Sequence, residues 1–147
     1  MSLDDDIALL SRAPLIGLID RDGLRLLAFA ADKRRLRQGE ALFRKGDRAD
    51  CGYIVAEGEI GLDVEGGKPV SVARAGDLIG AAALFAETRR PASATAREVS
   101  TVIRLTQPLM RRVLEEYPQA AAGMHAILAA ELQSLTRDLM RVGARFG

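Results

Sequence analysis

Apolar residues change their spacing twice along the 147 residues of this chain. Over residues 9–31 they recur three and four positions apart, which predicts amphipathic helices interrupted at Gly17 and at the "DRDG" around Gly23. Over residues 33–105 short apolar and polar alternations are separated by glycines about ten residues apart. Such alternation places successive side chains on opposite faces of a strand. The middle of the chain is therefore predicted to form antiparallel strands joined by tight turns.

Helical spacing returns after Thr106. Pro108 lies near the start of one predicted helix, and Pro118 opens a second, longer one. Six apolar residues of the second helix, here called the C-terminal seam, follow one another three or four positions apart: Met124, Leu128, Leu132, Leu135, Leu139 and Val142. The seam either packs on the chain's own domain or pairs with the same stripe of a second copy.

These patterns predict one mainly β domain over residues 1–147, with a helical start over residues 9–31 and C-terminal helices over residues 107–144. The fold expected for residues 33–105 is a jelly-roll-like antiparallel β-barrel with an interior helix near residues 80–85. The clearest hairpin is "VEGGKPV", because Gly66 and Gly67 accept the positive φ of a tight turn. The residues expected mainly in the barrel core are Val55, Ile60, Leu62, Val72, Leu78, Leu84, Val102, Ile103 and Leu105.

The composition of the chain argues against several classes of function. Lysine and arginine number 21 against 20 acidic residues, so no global field attracts nucleic acid. A single histidine, His125, and a single cysteine, Cys51, offer neither a histidine-cluster metal site nor an internal disulfide. Cys51 is interpreted as a small packing residue. No catalytic group or metal is assigned, and the chain is predicted not to be an enzyme.

The chain carries no predicted membrane segment. No apolar run approaches the roughly 20 residues that span a bilayer. The start, "MSLDDDIALL", has acidic residues where a secretory signal has positive charge. We therefore expect a cytoplasmic protein.

One stretch of the strand region combines small residues with adjacent cations. It reads "GAAALFAETRRPAS", from Gly80 to Ser93. Small residues let a ligand approach the backbone closely, and arginine pairs with anions through a planar fork of N–H donors. The unsatisfied amides at the start of a helix also favour an anion. The stretch therefore predicts an anion-binding site.

Three glycine-framed motifs, "QGEALFRKGD", "YIVAEGEIGL" and "AGDLIG", precede or open this stretch. Together with the following helix and arginine, they resemble the cyclic-nucleotide-binding domain family, which includes catabolite activator proteins and regulatory subunits of cyclic-nucleotide-dependent kinases. The resemblance covers roughly Pro14 to Leu139. It implies a double-stranded β-helix barrel with a phosphate-binding cassette over residues 76–96, a long C-terminal helix, and cAMP or cGMP as ligand without a cofactor.

The resemblance also implies which residues touch the ligand. The amides at the start of the short helix would face the cyclic phosphate, and Arg90 would pair with it. The implied ligand-binding residues are Gly80, Ala81, Ala82, Ala83, Arg90, Pro91, Ala92 and Ser93. Glu87 lies in the same loop, and its spacing does not assign it a contact.

Two positions depart from the family pattern. Ala81 stands where the family normally has a glutamate that binds the ribose 2′-hydroxyl, a loss that weakens binding by roughly tenfold to a hundredfold. Pro91 stands where the family usually supplies a backbone N–H, which proline lacks. The electrostatic half of the site is retained, and much of the ribose half is lost.

Two functions follow as hypotheses. The first is a stand-alone regulatory domain that senses a cAMP- or cGMP-type ligand, with weakened affinity. The second is a degenerate domain that acts as a protein-interaction or dimerisation module without nucleotide. In both, we expect a homodimer through the C-terminal seam. Because the sequence ends at Gly147, directly after the long helix, no DNA-binding domain is expected in this chain.

Overall fold

Helices from both ends of the chain pack on one side of a set of antiparallel strands. The computed structural model describes residues 2–64, 71–127 and 129–130. The helices are α1 (Leu3–Arg12), α2 (Arg21–Ala30) and α3 (Gln107–Glu116), with 3₁₀ turns at Ile16–Leu18 and Ala81–Leu84. Residues 118–127 are also helical. The strands are β1 (Asp32–Leu36), β2 (Ala41–Phe43), β3 (Arg48–Ala49), β4 (Cys51–Glu57), β5 (Ile60–Asp63), β6 (Ser71–Ala73), β7 (Leu78–Ile79), β8 (Thr88–Arg89), β9 (Ser93–Ala96) and β10 (Ser100–Thr106).

Helix α1 begins six residues before the predicted boundary at Leu9. The Ser2 hydroxyl accepts a hydrogen bond from the Asp5 amide at 3.1 Å, and the Asp5 carboxylate accepts one from the Ser2 amide at 3.2 Å. This reciprocal capping satisfies two amides that a helix start otherwise leaves free. The expected boundary was therefore wrong, because the cap lies upstream of the first apolar spacing.

Gly23 does not interrupt a helix. It lies inside α2, where an added Cβ would stand 2.4 Å from Ile19 Cγ2 and 3.0 Å from a ring carbon of Tyr117. The glycine is therefore needed for close packing against these side chains. The predicted break in the "DRDG" around Gly23 lies at Asp20, which is the N-cap of α2. Gly17 does lie between the helices, in the first 3₁₀ turn.

The strands form a jelly roll, which confirms the predicted fold class. The first sheet has the order β1-β10-β4-β7, and the second has the order β2-β9-β5-β6. Every strand pair is antiparallel, including the short pair of β3 with β8. The 3₁₀ turn Ala81–Leu84 is the expected interior helix, directly after β7.

The centre of the first sheet is covered on both faces. On β4, the residues from Cys51 to Ala56 are all buried. Tyr53 and Val55 pack with residues of the second sheet, whereas Ile54 and Ala56 pack with the apolar faces of the helices. Strand β4 therefore lies at the centre of three layers, which is why its sequence is an unbroken apolar run.

Six of the nine expected core residues are buried: Val55, Ile60, Leu84, Val102, Ile103 and Leu105. The other three, Leu62, Val72 and Leu78, are half-buried. Val72 lies on β6, an outer strand of the second sheet. Leu62 and Leu78 line a cavity. Their inward positions in the strand alternation were predicted correctly. Val72 is partly exposed because it lies at a sheet edge, and Leu62 and Leu78 are partly exposed because they lie at a cavity.

Several predictions fall on parts that the structure does not describe. The hairpin at Gly66 and Gly67 lies outside the described residues, as do the seam positions from Leu128 to Val142. Met124, the first seam residue, is 1% exposed and packs with the N-terminal helices of its own chain. No helix in the described ranges has the length and apolar character needed to cross a bilayer.

The three-layer packing predicts the effect of truncating Ile54, which is fully buried beneath the helices. We expect Ile54→Ala to lower the free energy of unfolding by about 2–5 kcal/mol, because it leaves a cavity that its neighbours fill incompletely. Val99→Ala is the control, since Val99 is 54% exposed, and its effect is expected within about 0.5 kcal/mol. Urea unfolding measures both, and equal losses would contradict the burial of this face.

Candidate ligand-binding site

Arg89 and Arg90 are neighbours in sequence but occupy opposite environments. Arg89 is exposed on β8, and its Nη1 donates to the Gly46 carbonyl at 3.3 Å. Arg90 is only 5% exposed. Its amide donates to the Asp47 carbonyl, and its carbonyl accepts from the Gly46 amide, both at 2.8 Å. The loop between β2 and β3 thus holds the backbone of Arg90 while its side chain enters the interior.

Two aromatic rings and a thiol surround the Arg90 guanidinium. Its Cζ lies 4.3 Å from the ring centroid of Phe43 and 5.6 Å from that of Tyr53. Its Nη2 donates to the Cys51 sulfur at 3.3 Å. Aromatic faces attract a cation through their quadrupole. Burial raises the pKa of the Tyr53 hydroxyl, so this group stays neutral beside the guanidinium.

Arg90 lacks a counter-charge in the described part of the chain. No carboxylate there forms an ion pair with it, and its buried Nε and Nη1 have no hydrogen-bond partner. A buried charge without a partner costs several kcal/mol, and aromatic contacts return only about 2 kcal/mol. A planar fork of N–H donors matches phosphate or carboxylate oxygens. An anion would supply the missing partner.

A cavity of about 150 Å³ opens beside Arg90. The residues that line it are Phe43, Leu62, Leu78, Ile79, Gly80, Arg90, Pro91 and Ala92. Arg90 is the charged member of this set, and the other walls are apolar side chains and glycine. The cavity therefore suits a ligand with a compact anionic group and an otherwise weakly polar surface.

A larger cleft of about 360 Å³ lies outside this cavity and includes Arg48, Glu87 and Arg104. Two of its charges pair with each other, since Arg48 Nη2 donates to Glu87 at 2.9 Å and this bond raises the pKa of Arg48. Glu87 is therefore held by Arg48 and does not line the Arg90 cavity. We place the candidate site at Arg90 because its guanidinium is buried and pairs with no carboxylate among the described residues.

Gly80 gives the guanidinium its room. Its φ is +78°, a region that favours glycine, and an added Cβ would lie 2.6 Å from Arg90 Nη1. The 3₁₀ turn follows directly, and its first hydrogen bond runs from the Ala83 amide to the Gly80 carbonyl at 3.1 Å. The amides of Ala81 and Ala82 precede this bond, so they are the free donors of the turn.

The structure brings some of the predicted site residues together and separates others. Gly80, Arg90, Pro91 and Ala92 line the cavity. Ala81 is half-buried against the apolar core between the first sheet and the helices, here called the helix-side core. Ala82 is exposed and Ala83 is buried. The Ser93 hydroxyl accepts from the Lys45 amide at 2.9 Å, so it fastens the loop between β2 and β3.

Sequence reasoning missed the groups that hold the arginine. Phe43 and Tyr53 fall within the quoted motifs "QGEALFRKGD" and "YIVAEGEIGL". Their rings meet at 6.1 Å between centroids only because β2 and β4 lie in facing sheets. Cys51 was expected as a packing residue, and it is buried. Its sulfur also accepts the hydrogen bond from Arg90.

The fold and the site together define a jelly-roll domain with a buried arginine that has no carboxylate partner among the described residues. Residues 33–117 match the family model described as the cyclic nucleotide-binding domain. The chain belongs to this family, which confirms the resemblance found in its motifs.

Solved structures show the same relationship. The chain is similar to a cyclic nucleotide-binding-like protein from Brucella abortus, with 39% identity and a TM-score of 0.69, covering 76% of this chain and 99% of that one. It is also similar to the N-terminal domain of a transcriptional regulator from Streptomyces coelicolor, with 28% identity and a TM-score of 0.77, covering 90% and 94%.

A curated relative is far longer. The chain is 30% identical over 115 residues to the human patatin-like phospholipase domain-containing protein 6, a match that covers 74% of this chain and 8% of that protein. The chain therefore spans a small part of this relative.

The unmatched charge predicts a gain in stability when it is removed. We expect Arg90→Met to raise the free energy of unfolding by about 1–4 kcal/mol, because the substitution keeps an unbranched stem and removes a buried cation. Arg89→Met, at the exposed neighbour, should stay within about 0.5 kcal/mol of wild type. Urea unfolding in buffer free of phosphate and sulfate measures both. A loss of stability in Arg90→Met would show that the guanidinium is a structural member of the core.

Proposed function

We propose that this chain is a regulatory domain that binds a cyclic nucleotide of the cAMP or cGMP type. The observation that carries the proposal is Arg90, buried beside a cavity with Nε and Nη1 unpartnered. A cyclic phosphate carries one negative charge on two exposed oxygens, which match the N–H donors of a guanidinium. Membership of the cyclic nucleotide-binding domain family supports the same ligand class.

In the proposed complex, the phosphate lies between Arg90 and the start of the short helix. The free amides of Ala81 and Ala82 add two donors to the arginine fork. The sugar and base lie along the apolar walls, which include Phe43 and Leu78. The ligand is bound and released unchanged, so the proposal includes no catalytic step.

The two departures from the family pattern set the proposed strength of binding. Ala81 offers no carboxylate to the sugar, and Pro91, which lines the cavity, has no N–H to donate. Binding is therefore proposed to depend mainly on Arg90. The competing hypothesis is a degenerate domain that keeps the fold and uses its surface to bind protein.

Calorimetric titration with cAMP, cGMP and cyclic dinucleotides tests the proposal. Arg90→Ala should weaken binding of the cyclic nucleotide by about thirtyfold or more, because it removes the buried partner of the phosphate. Arg89→Ala is the matched control and should change affinity by less than about fivefold, since exposed ion pairs contribute little. If none of these nucleotides gives a heat of binding, the result favours the interaction module. If Arg89→Ala weakens binding more than Arg90→Ala, the phosphate contact is Arg89 and the site was assigned one residue too far along the chain.

We further propose that the chain forms a homodimer through the C-terminal seam. A hydrogen bond from Gln107 Nε2 to the Ala83 carbonyl, at 2.8 Å, ties the short helix of the site to the first residue of α3. The seam follows α3 in sequence. A ligand that prefers one arrangement of these helices would shift the relation between two subunits. The cytoplasmic location stays a prediction.

Sedimentation velocity at micromolar concentration tests the dimer. Wild type should sediment as a dimer, and Leu135→Glu with Leu139→Glu as a folded monomer, because two carboxylates per chain would be buried at the interface. Circular dichroism checks that the variant is folded. A wild-type monomer would refute the dimer, and a variant that still dimerises would place the interface elsewhere.

A further inference from the structure

The Arg90 cavity offers a ligand very few polar side chains. Of the eight residues that line it, Arg90 has the charged side chain, and the others are Phe43, Leu62, Leu78, Ile79, Gly80, Pro91 and Ala92. None of these seven side chains can donate or accept a hydrogen bond. Within the described residues, side-chain recognition in this cavity is confined to the guanidinium.

Three acidic groups near the cavity are engaged elsewhere. The Asp47 carboxylate accepts from the Arg44 amide at 2.9 Å, and the Asp77 carboxylate accepts from the Arg74 amide at 2.8 Å. Glu87 pairs with Arg48. Asp47 and Asp77 thus close the turns that carry them, and the Glu87 pair joins two loops. None of the three lines the cavity.

A cyclic 3′,5′-nucleotide presents one free sugar hydroxyl, at the 2′ position, because the 3′ and 5′ oxygens are part of the cyclic phosphate. On entering this cavity, the hydroxyl would leave water without meeting a polar side chain. A buried hydroxyl without a partner gains nothing from the site and loses its hydration. The phosphate, in contrast, meets the Arg90 fork.

We infer that this site recognises the cyclic phosphate of its ligand and does not discriminate between a hydroxyl and a hydrogen at the 2′ position of the sugar. Its ligand class is then cyclic nucleotides with either a ribose or a 2′-deoxyribose. This inference rests on the proposed function, because it assumes that a cyclic nucleotide occupies the cavity. The proposed function depends on the phosphate of the ligand, whereas this inference concerns the sugar.

Titration of the full chain with cAMP and with 2′-deoxy-cAMP tests the inference. The two dissociation constants should agree within about threefold, or the deoxy ligand should bind more tightly, because no side chain forms a hydrogen bond with the 2′-hydroxyl. A site with a charged hydrogen-bond partner would instead favour cAMP by about tenfold to a hundredfold. Arg90→Ala, titrated in parallel, should weaken both ligands by the same factor.

The outcomes separate the two proposals. A preference of wild type for cAMP above about threefold overturns the inference while leaving the proposed function in place, since both ligands still bind. If neither ligand binds to wild type, the proposed function fails, and the inference falls with it. If Arg90→Ala weakens one ligand far more than the other, the two ligands do not share the phosphate contact, and the inference is also overturned.

Discussion

The guanidinium of Arg90 must remain charged inside a jelly roll whose described residues give it no carboxylate. The surrounding structure accommodates that constraint in several ways. The rings of Phe43 and Tyr53 flank the cation, and the Cys51 sulfur accepts one of its N–H groups. Gly80 leaves space where any side chain would meet Nη1. These contacts hold the arginine in place but do not neutralise it, which leaves room for the anion proposed as the ligand.

The same strands connect this site to the helices. Strand β4 contributes Cys51 and Tyr53 to the interior beside Arg90, and Ile54 and Ala56 to the apolar contact with the helices. Leu84, at the end of the short helix, packs in the helix-side core. Gly52 allows this approach, because a Cβ there would lie 3.1 Å from Leu84. The ligand cavity and the helix-side core are therefore separated by a single strand and one 3₁₀ turn.

Much of the fold could be predicted from the sequence because turn glycines and strand alternation are local signals. The candidate site could be predicted in outline for the same reason, since Gly80 and Arg90 belong to one continuous stretch. What could not be predicted depends on contacts between distant segments. The role of Gly23 follows from packing against Tyr117, and the rings that hold Arg90 converge from β2 and β4. The capping pair of Ser2 and Asp5 was a local signal that the apolar spacing alone overlooked.

The pairing of the first strand with the last has a consequence for how the domain forms. Asp32 of β1 lies opposite Arg104 of β10, so the two ends of the strand region must meet before the first sheet exists. Folds dominated by such distant pairings typically fold in milliseconds to seconds, because the chain must close long loops before it gains the contacts. The cavity residues come from β2, β5, β7 and the segment after β8. The cavity therefore exists only once strands that are distant in the sequence have paired, and no short segment of the chain can form it alone.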